Sequence, residues 1–486
     1  MQTSSDTPAA PKRQLTLFDS TCIIVGIIIG AGVYQTAPSI ACGVNTGLKQ
    51  WAETMDSLAQ WASQYPNWLG WLAELAQRVQ HIDPWIGVCG IWIVGGLLSL
   101  CGAMAYAELA TAYPRAGGDY VYLSKAYGPW AGFMFGWLQL LVVRPADIVT
   151  MAFAFATFGV RLWNPLEEVF TPANVQKLYA GSAVVFFTLL NIIGVSEGKW
   201  AQNVLTVAKA LGILAIVVVA FSAPQQAGPA EPVELIPLPL TVALILVLFA
   251  YGGWNEMAYV AAEVKNPDRN IVRALLLGTG SVVLLYVLLN AAFMYALGFT
   301  GLASSKAVAA DAIAGTFPNV GERLISALVC ISALGAVNGL ILTGARISYA
   351  VGADHRLFRF VGKWNQRTGT PLRALVLQGA IALALIILLG SFIEAVIYAA
   401  ATVYLFYLAT SWSVIVLRVH QPQVPRAYRL PAYPVPILIF AGVCLFLMQG
   451  AINYRPLLSF VALGIAFLGL PVYWLTTPRN QITDAS

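Results

Sequence analysis

The residues of this sequence best placed to do chemistry are backbone groups exposed by glycine. Gly26, Gly30 and Gly32 fall within GIIIGAGVY (Gly26–Tyr34), inside an apolar run from Leu17 to Ala41. A glycine in a helix interior costs roughly 0.5–1 kcal/mol relative to alanine, so three of them predict either a closely packed neighbouring helix or a break. A break in mid-membrane frees amide N–H groups at a positive dipole end, which can hold a carboxylate, and carbonyls, which can hold an ammonium. An amino acid carries both charges on adjacent atoms. The same pattern recurs at Gly252 and Gly253 in LFAYGGWNEMAYVAAEV (Leu248–Val264). Two interrupted spans at matching places are the sequence signature of a transporter built from repeats, whereas small-residue packing alone explains either of them singly.

Ionisable groups inside apolar runs are the second set of candidates, because a charge is expensive in a membrane. Lys209 lies deep in VLTVAKALGIL. Arg144 precedes Pro145, whose ring frees carbonyls that a guanidinium can cap, and a functional role is equally open. Arg346, near a span end, is explained by snorkelling. Glu263 reads as a gate or surface residue; Glu256 reads as facing another helix, and it takes a proton if it stays uncompensated. Phe249, Trp254 and Tyr404 supply rings that either pack or cover a ligand. The histidines, His81, His355 and His420, fall in loops, and no HExxH, P-loop or nucleophile elbow occurs, so zinc proteolysis, ATP-driven transport and serine hydrolysis lose support. No ring of charges suggests a channel filter.

The elements that must position these groups follow from composition. Of 486 residues 59% are hydrophobic and 10% charged, against about 25% charged in a soluble domain. Apolar runs of about 20 residues recur about twelve times. The expected organisation is an all-α membrane protein: a cytoplasmic tail over 1–16, and a transporter domain over 17–476. Within it lie inverted repeats near 17–222 and 238–417, broken at their first and sixth helices, followed by added helices over 432–476 and a tail over 477–486. The Lys and Arg residues, densest at Arg356, Arg359, Lys363, Arg367 and Arg373, place both termini in the cytoplasm. The first run is too long for a secretory signal and reads as a retained span. The six cysteines lack framework spacing, and the net charge of +5 needs no nucleic acid to explain it. Residues 42–85 form an extracytoplasmic amphipathic insertion, with Trp51, Met55, Leu58 and then Trp68, Trp71, Leu72, Leu75 and Val79 at helical spacing around Pro66. It reads as a pair of helices lying on the lipid surface or as a lid or partner-docking hairpin.

GIIIGAGVY, YAELATAYPRAGGDYVYLSKAYGP (Tyr106–Pro129), LLVVRPAD (Leu140–Asp147), FAYGGWNEMAYVAAEVKNPDRNI (Phe249–Ile271), ISALGAVNGLILTGARISYAVG (Ile331–Gly352) and PRAYRLPAYPVPIL (Pro425–Leu438) together resemble the amino acid, polyamine and organocation transporter superfamily, and its L-type amino acid transporter branch in particular. The resemblance implies a secondary carrier in the plasma (inner) membrane, with no cofactor and no metal. It implies that N–H groups of Gly30, Ala31 and Gly32 hold the α-carboxylate and that carbonyls of Ile28, Phe249 and Gly252 hold the α-amine. Asn255, Ala336, Asn338 and Tyr404 then shape the side-chain pocket, and Phe249 closes over the substrate. Gly252 stands where cationic-substrate relatives often carry aspartate, which implies a neutral L-amino acid; Glu256 stands where the family usually has an uncharged residue. Lys209 aligns with the fifth-span lysine that replaces sodium in sodium-independent relatives, bracing the first helix or relaying a proton in an exchanger or proton-coupled carrier. The external loop 161–177 lacks the cysteine that joins animal relatives to a glycoprotein, so no disulfide-linked partner is expected. A cationic amino acid or polyamine carrier, or a non-transporting amino acid sensor, is the alternative.

Overall fold

The computed structural model describes residues 15–114, 118–166, 168–193, 199–222, 225, 234–261, 264–317, 320–354, 359–363, 365 and 370–476. Among them the chain is helical: α1 (Leu17–Ile28), α2 (Gly32–Ser63), α3 (Pro66–Val79), α4 (Pro84–Ala112), α5 (Asp119–Tyr127), α6 (Pro129–Leu138), α7 (Arg144–Leu162), α8 (Pro172–Ile193), α9 (Lys199–Ser222), α10 (Leu240–Ala250), α11 (Met257–Val260), α12 (Pro267–Ser304), α13 (Val308–Ala314), α14 (Val320–Asp354), α15 (Leu372–Leu389), α16 (Phe392–His420), α17 (Val435–Tyr454) and α18 (Pro456–Thr476). Among the described residues, nine helical stretches are long and apolar enough to cross a membrane. The pair α1 and α2, bent by 50° at their junction, makes a tenth, and shorter apolar helices at Thr206–Ser222 and Leu240–Glu256 fill the expected fifth and sixth spans. Large apolar side chains such as Leu97, Phe186, Leu211, Leu284, Ile387, Phe460 and Leu468 are exposed around the outside, as a lipid-facing belt requires.

The sixth span differs from the others in having no long helix: α10 stops at Ala250, a short 3₁₀ turn covers Trp254–Glu256, and α11 is brief. The third span is interrupted differently. A π-helical turn, Gln139–Val143, joins α6 to α7, and the Arg144 amide donates back to Gln139 O. Pro145 has no N–H to give to the preceding turn, and π turns of this kind concentrate at functional sites.

The second, third and fourth spans pack against the ones five positions later, α4 on α12, α7 on α14 and α8 on α15, and Gly253 of the sixth span touches Ile27 of the first. This pairing is what two interlocked five-span repeats require. The beginning of α1 is tied down by its capping box, in which Thr16 and Asp19 exchange hydrogen bonds. Lys265 N donates to Leu15 O at 2.8 Å, Asn203 Nδ2 to Asp19 Oδ1 at 2.8 Å and Thr206 Oγ1 to Cys22 O at 3.0 Å.

The insertion departs from the expected arrangement. Ala41 is not a helix end: α2 continues unbroken to Ser63 and folds back through α3, with Trp51 Nε1 donating to Val79 O at 2.7 Å. Gly47 lies against Leu240 and Gly87 against Val44 and Leu48, which sets the level at which α10 and α4 begin. From Gly47 to Ser63 the helix climbs about 24 Å further. Residues 42–79 thus form a helical hairpin continuous with the first span, closed by the Trp51–Val79 hydrogen bond. The loss of hydrophobicity after Gly47 did not end the helix, because Leu, Lys, Gln, Ala and Glu there are all good helix formers.

Candidate functional site

The first break is short. Ile29 N donates to Val25 O and Gly30 N to Ile28 O, both at 2.8 Å, and α2 then starts at Gly32 with no side chain capping it. The first-turn amides of a helix have no intrahelical partner, so the N–H groups at Gly32 and just beyond stand at an open positive dipole end. Of the three amides expected to bind a carboxylate, that of Gly30 is engaged locally. The Ile28 carbonyl, expected to receive an amine, accepts from both Gly30 N and Tyr286 Oη, each at 2.8 Å, which fills its two lone pairs. Tyr286 is buried on α12 and was not signalled by the sequence.

In the second break Gly252 N donates to Phe249 O at 2.9 Å. Gly253 has φ +110°, and a Cβ there would sit 2.6 Å from Ile27 Cγ2 and 3.4 Å from backbone atoms of Ile27 and Ile28. The left-handed region and the close approach both demand glycine. The Phe249 ring lies across the mouth of the first break, 3.4 Å from where a Gly32 Cβ would be, and meets Phe392 edge-on at 5.8 Å between ring centres.

The expected pocket side chains are distributed less simply. Asn255 Oδ1 accepts from Tyr407 Oη at 3.4 Å. Tyr404 is buried, with its hydroxyl on Ile245 O at 3.4 Å. Asn338 is also buried and accepts at 2.7 Å from Asn191 of α8. Ala336, two residues away on α14, points to nearly the opposite side of a 3.6-residue helix, so these two do not share a face toward the breaks. Trp254 is enclosed by Tyr106, Tyr407 and Phe440, which makes it a packing residue. Lys209 is half-buried on α9, a helix packed along α1 and α12, and its side chain is engaged in a polar or electrostatic interaction. Glu263 and the Arg346 side chain lie outside the described residues, as do His355, Arg356 and Arg367.

What the sequence did not pair is Arg144 with Glu256. Their side chains meet at 2.7 Å, and they are only 5% and 20% exposed, so Glu256 is neutralised by a guanidinium from the third span. Asp147, one turn along α7 from Arg144, interacts electrostatically with both members of the pair. Tyr407 of α16 interacts electrostatically with this group and with Asp119, which accepts hydrogen bonds from Tyr106 and from Thr410 Oγ1. No group of His, Cys, Asp and Glu suited to a metal ion occurs among the described residues.

The sequence model of the amino acid permease family matches residues 86–473. The b(0,+)-type amino acid transporter 1 of Mus musculus is 27% identical over 484 residues, covering 95% of this chain and 88% of the relative. The serine/threonine exchanger SteT of Bacillus subtilis is 30% identical over 393 residues, 79% of this chain and 87% of the relative. The large neutral amino acids transporter small subunit 2 of Homo sapiens is 28% identical over 402 residues, 79% of this chain and 72% of the relative.

Proposed function

The chain belongs to the amino acid permease family, and from that premise we propose that it is a multi-pass secondary transporter that carries neutral L-amino acids by alternating access. The observation that carries this reading is the pair of touching helix breaks. The turn at Gly253 touches the end of α1 at Ile27 and Ile28, and the Phe249 ring lies over the uncapped start of α2 at Gly32. The amides of Ala31 and Gly32 are assigned to the α-carboxylate, with Gly30 closing the turn behind them. The carbonyls of Phe249 and Gly252 are assigned to the α-amine; in this conformation Ile28 contributes to Tyr286 instead. Phe249 acts as the gate, since occlusion needs a bulky ring that can move aside.

Neutral substrates are favoured because the acid nearest the break, Glu256, is already held by Arg144. The names of the relatives, transporters and an exchanger of amino acids, support the same class. Lys209 beside α1 supplies the positive charge that sodium would otherwise provide, so transport is assigned as sodium-independent. We place the protein in the plasma (inner) membrane with both termini cytoplasmic, on the distribution of its basic residues; no disulfide-linked subunit is assigned to it.

Uptake of labelled neutral amino acid into proteoliposomes, with and without amino acid inside, tests the proposal. Unlabelled neutral L-amino acids compete, whereas amino acid amides and N-acetyl amino acids do not, because each lacks one of the two charges that the backbone recognises. Equal competition by either analogue removes the backbone assignment. Preferential transport of arginine removes the neutral-substrate assignment.

A further inference from the structure

Arg144, Asp147 and Glu256 form a charge cluster that the recognition of a neutral zwitterion does not use. One guanidinium faces two carboxylates. Arg144 and Glu256 are bonded at 2.7 Å and only 5% and 20% exposed, and Asp147, half-buried one turn along α7 from Arg144, interacts electrostatically with both on the most enclosed of the candidate spans. The groups facing Asp147 are Arg144 from its own helix, Glu256 from the broken sixth span and Tyr407 from α16. Tyr407 in turn faces Asp119, whose carboxylate is occupied by Tyr106 and Thr410. From α14, the helix packed most extensively on α7, the described polar group at this level is Asn338, which is uncharged and bonded to Asn191. Among the described residues, Arg144 is therefore the one cation in reach.

With all three groups ionised the cluster carries one uncompensated negative charge within a membrane span, where a half-buried carboxylate without its own counter-charge is costly and protonation relieves the cost. Two neighbouring carboxylates meet that demand by sharing one proton, which belongs to the pair rather than to either residue. We propose that Arg144, Asp147 and Glu256 constitute a proton-binding site of this carrier, which must hold one proton for the occluded, neutral-substrate-loaded state to form. This rests on the proposed transport of neutral amino acids, because a neutral substrate brings no counter-charge of its own. A sodium ion, or the basic side chain of a cationic substrate, offers the same unit of positive charge, and the test separates these sources.

The test is exchange of labelled alanine for unlabelled alanine across proteoliposomes with equal pH on both sides, read from acid to alkaline pH. Because both sides carry amino acid, it reports whether or not net uptake occurs. For the wild-type protein the expected rate is level at acid pH and falls about tenfold per pH unit above a midpoint, the slope for loss of one essential proton. Asp147→Asn and Glu256→Gln each leave one cation facing one anion, so the expected profile of both variants is level through the same range. Arg144→Met removes the cation that favours the ionised carboxylates, so the pair holds its proton more tightly and the wild-type fall moves toward alkaline pH.

A level wild-type profile overturns the proposal, and so does an unchanged alkaline fall in both amide variants, which would put the proton elsewhere. An Asp147→Asn protein that is misfolded, or folded and inactive, overturns it too, because the amide mimics the uncharged form assigned to the occluded state. Restoration of the alkaline rate by sodium assigns the charge to sodium instead, and arginine exchanging without an alkaline fall while excluding alanine assigns it to the substrate. Absence of any amino acid exchange overturns the transport reading itself, which distinguishes that failure from this one.

Discussion

Replacing Gly253 with alanine strikes a point at which the two helix breaks touch. Two costs add. The first is conformational: φ of +110° lies beyond the left-handed region that already costs an L-residue roughly 1–2 kcal/mol. The second is steric. The new methyl would lie 2.6 Å from Ile27 Cγ2, with backbone atoms of Ile27 and Ile28 at 3.4 Å behind it, and a β-branched residue in a helix has essentially one χ1 rotamer to retreat to. Inserting a methyl into such a contact costs typically 1–3 kcal/mol, so Gly253→Ala should destabilise by about 2–5 kcal/mol in total and separate the breaks that form the site. Gly30→Ala is the control. A Cβ there meets nothing closer than 4.0 Å, so its stability should change by less than about 1 kcal/mol whatever happens to transport. The assay is thermal unfolding of purified protein alongside alanine exchange, with the cycle closed by Ile27→Ala. The double variant should recover the steric part and leave the conformational part, a coupling of about 1–3 kcal/mol. Equal stabilities for Gly253→Ala and Gly30→Ala, or additivity with Ile27→Ala, would refute the claim that the breaks are in contact.

Three further outcomes follow from the site. Phe249→Ala should keep substrate binding within about threefold, measured by ligand-induced thermal stabilisation, while exchange slows by about tenfold or more, because the ring occludes rather than recognises; normal exchange would remove the gate. Arg144→Met should cost about 3–5 kcal/mol by leaving Glu256 buried without its partner, and Glu256→Gln in the same chain should restore most of it; full stability of the single variant would mean the pair is dispensable. Lys209→Ala should insert normally yet lose nearly all exchange, and replacing sodium with choline should leave the wild-type rate unchanged; strict sodium dependence, or an active Lys209→Ala, would contradict the role given to this lysine.

Much of the architecture was legible because its determinants are local. Glycine pairs mark breaks and long apolar runs mark spans; each signal lies within one stretch of chain. The errors came where hydrophobicity stood in for helicity or where one residue was judged alone. Residues 42–63 become polar while remaining strong helix formers, so α2 runs on past the expected boundary. Glu256 and Arg144 were each recognised as out of place, yet they are 112 positions apart and nothing local joins them. Asp147 was legible in principle, three residues after Arg144 on one helix face, but with Arg144 unassigned its excess charge had no meaning. Ala336 and Asn338 were carried over together from a family pattern, although their spacing alone sets them on different faces of α14.

The contacts divide the spans into two groups, and this gives the charge cluster its mechanical sense. α12 packs on α1, α2 and α4, and α10 on α2 and α4; α7, α8, α14 and α15 pack on one another. Alternating access requires one such group to rock against the other, so any strong contact between them must be broken or carried along. The 3₁₀ turn of the sixth span is pinned at both its ends. Gly253 is fitted against Ile27 of the first group, and Glu256 is bonded to Arg144 of the second. Only Trp254 and Asn255 lie between, too few to absorb a large relative movement. The glycine contact stays within its own group and can persist through the cycle, whereas the ion pair spans the boundary. A shared proton weakens that pair when it sits on Glu256, and its departure restores the full attraction to Arg144. The cluster therefore ties the freedom of the two groups to move to its own occupancy, which is the physical reason a proton held there would set the rate of exchange even when substrate binding itself involves only backbone groups.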